Sequence, residues 1–122
     1  MGKLALIVED EAPMRTIYEF VLRKQFGFTV LHAHDGSEAL DILQAHSPDI
    51  VFLDMLLPRV NGMQVLTYIY NAPHLTQARV VIVSAHKNVL YTDALRSSDL
   101  FLLKPVRVQD IQRVVNDLPR SL

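Results

Sequence analysis

The chain has 122 residues, half of them hydrophobic, and 12 basic and 13 acidic residues give a formal net charge of −1. This composition suits one compact domain with a buried core, and the charge gives no reason to expect nucleic acid or a membrane surface as the main partner. The absence of cysteine excludes disulfides, thiolate metal sites and a cysteine nucleophile. The apolar stretch Leu4 to Val8 is too short for a signal peptide or a membrane span, so we expect a cytoplasmic protein.

Short apolar runs alternate along the chain with segments of helical period. Five such runs predict strands: Leu4 to Val8, Phe28 to Ala33, Ile50 to Leu53, Val80 to Val83 and Leu100 to Leu103. Their nearly continuous apolar character is typical of a parallel sheet that is covered on both faces. The pattern therefore predicts an α/β fold of the (βα)5 type.

The first predicted helix runs from about Pro13 to Phe26, with Pro13 in its first turn and Gly27 as its stop. The turn Asp35-Gly36-Ser37 caps a second helix, which extends through His46. A fourth helix, near Asn88 to Arg96, has weak apolar spacing.

The third and the last predicted helices each carry an apolar stripe. In the third helix, which follows Asn61-Gly62, the shared face consists of Met63, Leu66, Ile69 and Tyr70. In the last helix the stripe has the i, i+3, i+4, i+7 spacing of a core-facing surface and consists of Ile111, Val114, Val115 and Leu118.

Polar residues follow four of the predicted strands. They are Glu9, Asp10 and Glu11 after the first strand, Asp54 after the third, Ser84 after the fourth and Lys104 after the fifth. In an open α/β sheet, ligands bind beyond the carboxyl ends of the strands. We therefore expect acids, a hydroxyl and a cation to converge at this edge.

These residue types suit phosphoryl transfer. The carboxylates of Glu9, Asp10 and Asp54 would repel one another unless a hard divalent cation such as Mg²⁺ joined them. With such a cation present, a carboxylate can attack a phosphoryl donor and form an aspartyl-phosphate. The Lys104 ammonium and the Ser84 hydroxyl would then contact the phosphoryl oxygens.

Four motifs in register, LIVEDE, DMLLPRVNG, VIVSA and FLLKP, resemble the signatures of the bacterial response-regulator receiver domain across nearly the whole chain. The resemblance implies that Asp54 is the phosphoacceptor, that Asp10 binds Mg²⁺ or Mn²⁺ directly, and that Glu9 binds it mostly through water. The backbone carbonyl of Leu56 would be a further ligand. Ser84 would be the switch hydroxyl, as well as a phosphoryl contact.

The resemblance also implies a flavodoxin-like three-layer sandwich with the parallel strand order 2-1-3-4-5. Residues 1–122 would form a single receiver domain without an output domain. Phe101 would be the aromatic switch residue, and the Lys104-Pro105 bond would be cis.

The implied function is a signalling switch in a two-component phosphorelay. Asp54 would take its phosphoryl group from a sensor histidine kinase, a phosphotransfer protein or a small phosphodonor. The face formed by the predicted fourth helix, the fifth strand and the last helix would then change its affinity for a downstream protein effector. Such a protein catalyses only its own phosphorylation and dephosphorylation, and it is a monomer or a phosphorylation-dependent dimer.

Three other functions are alternatives to this one. A phosphorylation-independent scaffold on the receiver fold would be favoured if an acid or Lys104 were missing, and none is. A metal-dependent hydrolase would want an acid two residues after Asp54, where the chain has Leu56. A transcription factor is disfavoured because no DNA-binding domain follows Leu118 in the sequence.

Some positions depart from the family pattern or vary within it. Ser97-Ser98-Asp99 replaces the usual Gly-Ala-Asp, and the segment from Ser84 to Lys104 is short, so the shape of the output face is open. Arg59 and Asn61 replace Gly and Asp, which we expect to be tolerated. Leu56 and His86 occupy positions that tune dephosphorylation.

Overall fold

The computed structural model describes residues 3–56, 61–85 and 100–118. One sheet contains five strands: β1 (Leu4–Val8), β2 (Thr29–Ala33), β3 (Ile50–Asp54), β4 (Arg79–Ser84) and β5 (Leu100–Leu103). Every neighbouring pair is parallel, and the order is β2-β1-β3-β4-β5. The predicted fold class and strand order are both confirmed.

The described residues contain four α-helices: α1 (Ala12–Glu19), α2 (Gly36–Ala45), α3 (Gly62–Asn71) and α4 (Val108–Asn116). A π-helical segment, Phe20–Gln25, continues α1, and a short 3-10 turn, Pro73–Leu75, follows α3. The helix predicted near residues 88–96 and the Ser97-Ser98-Asp99 segment lie outside the described residues. Element α4 is therefore the last of the predicted helices.

The first helical segment ends where the sequence predicted, but its hydrogen bonding changes on the way. In the π-helical part the Phe26 N–H donates to the Val21 carbonyl, five residues back, at 3.2 Å. Gly27 then takes a φ of 77°, which glycine adopts without steric cost and which ends the helix. The wider turn was not predicted.

Short polar side chains begin α2 and α3. The Glu38 N–H donates to the Asp35 carboxylate at 2.9 Å. The Gln64 N–H donates to the Asn61 side chain at 3.0 Å, and the Gln64 side chain accepts from the Asn61 N–H at 3.1 Å. This reciprocal pair is a capping box, which stabilises the start of α3.

Alternate strand residues point into two separate cores. Ala5 and Ile7 of β1 pack with α1 and α4, whereas Leu6 and Val8 pack with α2 and α3. The result is the predicted three-layer sandwich, in which each fully buried aliphatic side chain contributes about 1.5–3 kcal/mol.

The predicted apolar stripes are largely confirmed. Three stripe residues within α4 and one located two residues beyond its end are all buried: Ile111, Val114, Val115 and Leu118. In α3, Leu66 and Ile69 are buried, while Met63 and Tyr70 are half-buried. Val65 is fully buried and was missing from the predicted face.

Within residues 3–56, 61–85 and 100–118, none of the helices has the length and apolar character needed to cross a membrane.

Candidate functional site

The carboxyl ends of four strands lie level at one edge of the sheet. Asp54, the last residue of β3, is in register with Val83, and Ser84, the last residue of β4, is in register with Leu103. The Lys104 N–H donates to the Ser84 carbonyl at 3.0 Å, so the chain leaves β5 beside the end of β4. The Lys104-Pro105 peptide bond is cis, as the resemblance implied.

Three carboxylates come together at this edge. Oxygen atoms of Glu9, Asp10 and Asp54 all lie within 4.8 Å of one another. Glu9 is 1% exposed and Asp54 is 2% exposed, while Asp10 is open to solvent. Burial and then the charge of Asp54 raise the pKa of Glu9 to about 7, although Lys104 acts in the opposite direction.

Both oxygens of Asp54 accept a hydrogen bond. The Lys104 ammonium donates to Oδ2 at 2.7 Å, and the Leu56 N–H donates to Oδ1 at 3.0 Å. Burial lowers the pKa of Lys104, but the hydrogen bond and charge of Asp54 outweigh it, so the pKa is raised overall. The raised pKa favours the cationic form of Lys104 beside this carboxylate.

The composition of this edge fits a hard divalent cation. Three carboxylates converge there, two of them are shielded from water, and the Lys104 ammonium offsets only part of their charge. Oxygen donors of this kind are the ligands that Mg²⁺ prefers. The predicted metal residues Glu9, Asp10 and Asp54 are thus brought together.

Comparison with known proteins decides the family, since the profile of the response regulator receiver domain matches residues 5–116. The chain belongs to this family.

Several relatives share this domain. The chain is 36% identical over 116 residues to the Regulator of RpoS of Escherichia coli K12, which covers 93% of this chain and 33% of that protein. It therefore spans about a third of the length of the curated relatives it matches.

Solved receiver structures superpose closely. A CheY-like receiver domain from Methylobacillus flagellatus has a TM-score of 0.82 at 27% identity, covering 95% of this chain and 98% of that one. The receiver domain of sensor histidine kinase PA1611 from Pseudomonas aeruginosa PAO1, which has magnesium coordinated in its active site cleft, gives 0.82 at 22% identity. It covers 95% of this chain and 96% of that one and shows the shared fold.

The other predicted residues of this receiver domain are placed in part. Ser84 is buried beside Asp54 at the end of β4, and Phe101 is half-buried against the core of α2 and α3. Leu56 follows the site and is 61% exposed. The Leu56 carbonyl as a ligand and the switch movement of Ser84 and Phe101 stay predictions, and His86 lies outside the described residues.

Gly62 has a structural role at the site that sequence reasoning missed. A Cβ atom at this position would lie 2.6 Å from the Met55 Cα and 3.0 Å from the Asp54 carbonyl oxygen. Only glycine lets the start of α3 approach the backbone at the end of β3 so closely. The sequence placed Asn61-Gly62 just before the third helix, but no sequence signal indicates such a close approach.

Arg15 was also missed. Its Nη1 donates to the Glu9 carbonyl oxygen at 3.1 Å, reaching back from the first turns of α1 to the acidic segment. The available signal was a basic residue about one helical turn after the acidic run.

The two histidines near the end of β2 do not form a metal pair. His32 Nε2 lies 2.6 Å from Glu19 Oε2, and His34 Nδ1 lies 2.9 Å from Glu38 Oε1. His34 is exposed, whereas His32 is half-buried against Glu19. Neither histidine joins a metal-binding group in the part of the chain that the structure describes.

Proposed function

We propose that Asp54 of this receiver domain accepts a phosphoryl group and that the protein is a phosphorylation-dependent switch in a two-component phosphorelay. One observation carries the proposal: a carboxylate that is 2% exposed lies 2.7 Å from the Lys104 ammonium and beside two further carboxylates. An aspartate that only ended a strand would not require a lysine ammonium and two further carboxylates beside it.

The reaction is a nucleophilic displacement at phosphorus. A carboxylate oxygen of Asp54 forms the new P–O bond as the P–N bond of a kinase or phosphotransfer-protein phosphohistidine breaks, and the electron pair leaves with the imidazole. With a small acyl phosphate as the donor, a P–O bond breaks instead. Lys104 stays protonated throughout and faces the added negative charge.

Glu9, Asp10 and Asp54, together with the Leu56 carbonyl, would hold Mg²⁺ or Mn²⁺. Such a cation supplies charge neutralisation to the phosphoryl oxygens and offsets the repulsion among the carboxylates. Glu9 and Asp54 are buried in the fold, and this packing restricts the positions of their carboxylates.

The protein would act on itself rather than on a separate substrate, since its only reactions are gain and loss of the Asp54 phosphoryl group. The Ser84 hydroxyl would move toward that group, Phe101 would turn inward, and the surface around β5 and α4 would change its affinity for a protein effector. Phosphorylation can shift the equilibrium between the inactive and active conformations only through contacts that differ between these two conformations. One curated relative is named a regulator, which agrees with a signalling output.

A direct test uses purified protein with acetyl phosphate and MgCl₂. We expect a mass gain of one phosphoryl group, its removal by hydroxylamine as for an acyl phosphate, and its suppression by EDTA. No mass gain under any condition would contradict the proposal.

The scaffold alternative makes a different prediction. Beryllofluoride, which mimics the phosphoryl group, should change which proteins the wild type captures and should have no effect on Asp54→Asn. Identical partners and affinities in all conditions would favour a phosphorylation-independent scaffold.

Leu56 bears on the lifetime of the phosphorylated state. Leu56 follows Asp54 by two residues, and its apolar side chain is largely exposed. We propose that this side chain obstructs an attacking water molecule and that His86 modulates the access of water. Leu56→Asn should therefore shorten the aspartyl-phosphate lifetime. An unchanged lifetime would remove this role from Leu56.

A further inference from the structure

We infer that Arg15 is a positioning residue for the acidic cluster: it fixes the Glu9–Asp10 peptide so that the carboxylates of Glu9 and Asp10 converge with that of Asp54. The inference rests on the proposed cation site and adds a residue that neither the motifs nor the strand ends indicated.

Glu9 is held at each of its polar groups. Its N–H donates to the Ala33 carbonyl of β2 at 3.0 Å, and its carbonyl accepts from Arg15 Nη1 at 3.1 Å. Its carboxylate accepts from the Glu11 N–H at 3.2 Å. Strand β2, helix α1 and the acidic segment itself thus each fix one part of this residue.

The carbonyl that Arg15 contacts belongs to the same planar peptide unit as the Asp10 nitrogen. Because that unit is rigid, holding the oxygen also sets the direction in which the Asp10 backbone leaves β1. Asp10 is the one solvent-exposed member of the carboxylate cluster, so it lacks the packing that holds Glu9 and Asp54. Arg15 supplies the missing constraint through the backbone.

Arg15 is itself well placed for this task. Its N–H donates to the Glu11 carbonyl at 3.1 Å at the start of α1, and its side chain is half-buried. Tyr18, one turn later, is buried and packs on Phe52 of β3 with ring centroids 5.0 Å apart. The helix that carries the guanidinium is therefore anchored to the phosphoacceptor strand.

The inference is testable because the two possible roles of Arg15, as a positive charge and as a positioning residue, predict opposite changes in Mg²⁺ affinity when Arg15 is removed. If Arg15 acted only as a positive charge near the cluster, removing it would strengthen binding of Mg²⁺ by relieving repulsion. If Arg15 orients the ligands, removing it weakens binding, as loss of outer hydrogen-bonding partners does in other metal sites.

The experiment is calorimetric titration of MgCl₂ into wild type, Arg15→Met and Arg15→Lys. We expect Arg15→Met to weaken Mg²⁺ affinity about tenfold. Arg15→Lys keeps the charge but loses the planar fork, and it should also bind more weakly than wild type. The matched control is Arg23→Met, because Arg23 also donates to a strand carbonyl, that of Val30, but contacts Glu19 instead of the cluster. Its Mg²⁺ affinity should equal that of wild type.

Thermal unfolding in EDTA separates positioning from folding. Comparable midpoints for the variants and Arg23→Met, with weaker binding only in the Arg15 variants, support the inference. If Arg15→Met does not fold, Arg15→Lys decides alone.

Unchanged or tighter Mg²⁺ binding in the Arg15 variants would overturn the inference and leave the proposed function intact. Absence of binding by the wild type would overturn the proposed cation site and the inference with it.

Discussion

Strand β3 is bounded by two aspartates that have different surroundings. Asp49 precedes its first residue, and its carboxylate accepts from the Leu4 N–H of β1 at 2.8 Å, while its own N–H donates to the Leu4 carbonyl at 2.8 Å. Asp54 ends the strand, and its carboxylate accepts hydrogen bonds from the Leu56 N–H and the Lys104 ammonium. The carboxylates of Glu9 and Asp10 lie close to it. The first aspartate completes a backbone ladder, whereas the second lies in an unbalanced cluster of charges.

The comparison shows that neighbouring strands, rather than the residue type, decide the role of each carboxylate. The same contrast appears in the pKa values. That of Glu9 is raised to about 7 by burial and by the charge of Asp54. That of Asp110, at the start of α4, is lowered by the Arg107 backbone N–H, and by the Arg107 and Arg113 guanidiniums, against the effect of burial. A carboxyl group whose pKa is raised at the edge of a sheet is typical of a functional site, whereas one whose pKa is lowered by local hydrogen bonds is typical of a structural role.

The largest expected difference is between the two aspartates of β3. Asp54→Asn should abolish phosphorylation by acetyl phosphate, because the amide is not a nucleophile. Asp49→Ala should be phosphorylated as fully as wild type, yet lose about 1–2 kcal/mol of unfolding free energy because the Leu4 N–H loses its acceptor. Intact-protein mass spectrometry and urea unfolding measure the two effects. Equal loss of phosphorylation in both variants would erase the distinction between the strand ends.

Removal of the counter-charge should have the next largest effect. Lys104→Met should slow phosphorylation on the order of 100-fold. It should also lower the unfolding free energy in EDTA by about 2 kcal/mol, because the buried Asp54 carboxylate loses its counter-charge. Mg²⁺ should stabilise this variant more than wild type.

A double variant tests the reason for the Lys104 effect. Asn at position 54 leaves no charge to compensate, so Lys104→Met should cost less in the Asp54→Asn background than in wild type, as urea unfolding in EDTA would show. Strict additivity would mean that the two side chains do not interact energetically.

Relief of repulsion should give a smaller effect of opposite sign. At pH 8 in EDTA, Glu9→Gln should raise the unfolding free energy by on the order of 1 kcal/mol, because it removes one buried like charge and keeps an acceptor for the Glu11 N–H. Mg²⁺ should stabilise the variant less than wild type, as thermal unfolding with and without the cation would show. A less stable variant in EDTA would mean that the ionised carboxylate stabilises the fold.

The sheet and most of the site were predictable because they depend on local pattern. Buried parallel strands are continuous apolar runs, and whatever follows such a run must lie at the carboxyl edge. Asp54, Ser84 and Lys104 could therefore be assigned to one edge before any distance was known, and the motifs supplied their roles.

The rest depends on distances between elements that pattern does not encode. The position of a helix on the sheet determines two of these distances. One is the close approach of Gly62 to the Met55 backbone, and the other is the hydrogen bond from Arg15 to the Glu9 carbonyl. The π-helical segment Phe20–Gln25 likewise has an ordinary helical sequence, with no signal for the wider turn. Each of these requires the packed structure.

The smallest expected effect concerns a structural acid. Asp110→Asn should cost about 0.5 kcal/mol at pH 7, since the Arg107 N–H, 2.9 Å from the carboxylate, loses a charged acceptor. The pKa of Asp110 is lowered in the folded protein, so its contribution is fully present above the unfolded pKa of about 4 and is lost as the pH falls through the folded value. The difference in unfolding free energy between wild type and variant, measured by urea unfolding, should thus shrink as the pH falls from about 5 to below about 4.

Asp117 is an exposed aspartate at the other end of α4, and Asp117→Asn is the control. This substitution should leave the unfolding free energy at pH 7 unchanged. If Asp110→Asn remained less stable than wild type at low pH, hydrogen-bond geometry rather than charge would explain the loss of stability. The contrast between structural and functional acids would then be supported by the pKa of Glu9 alone.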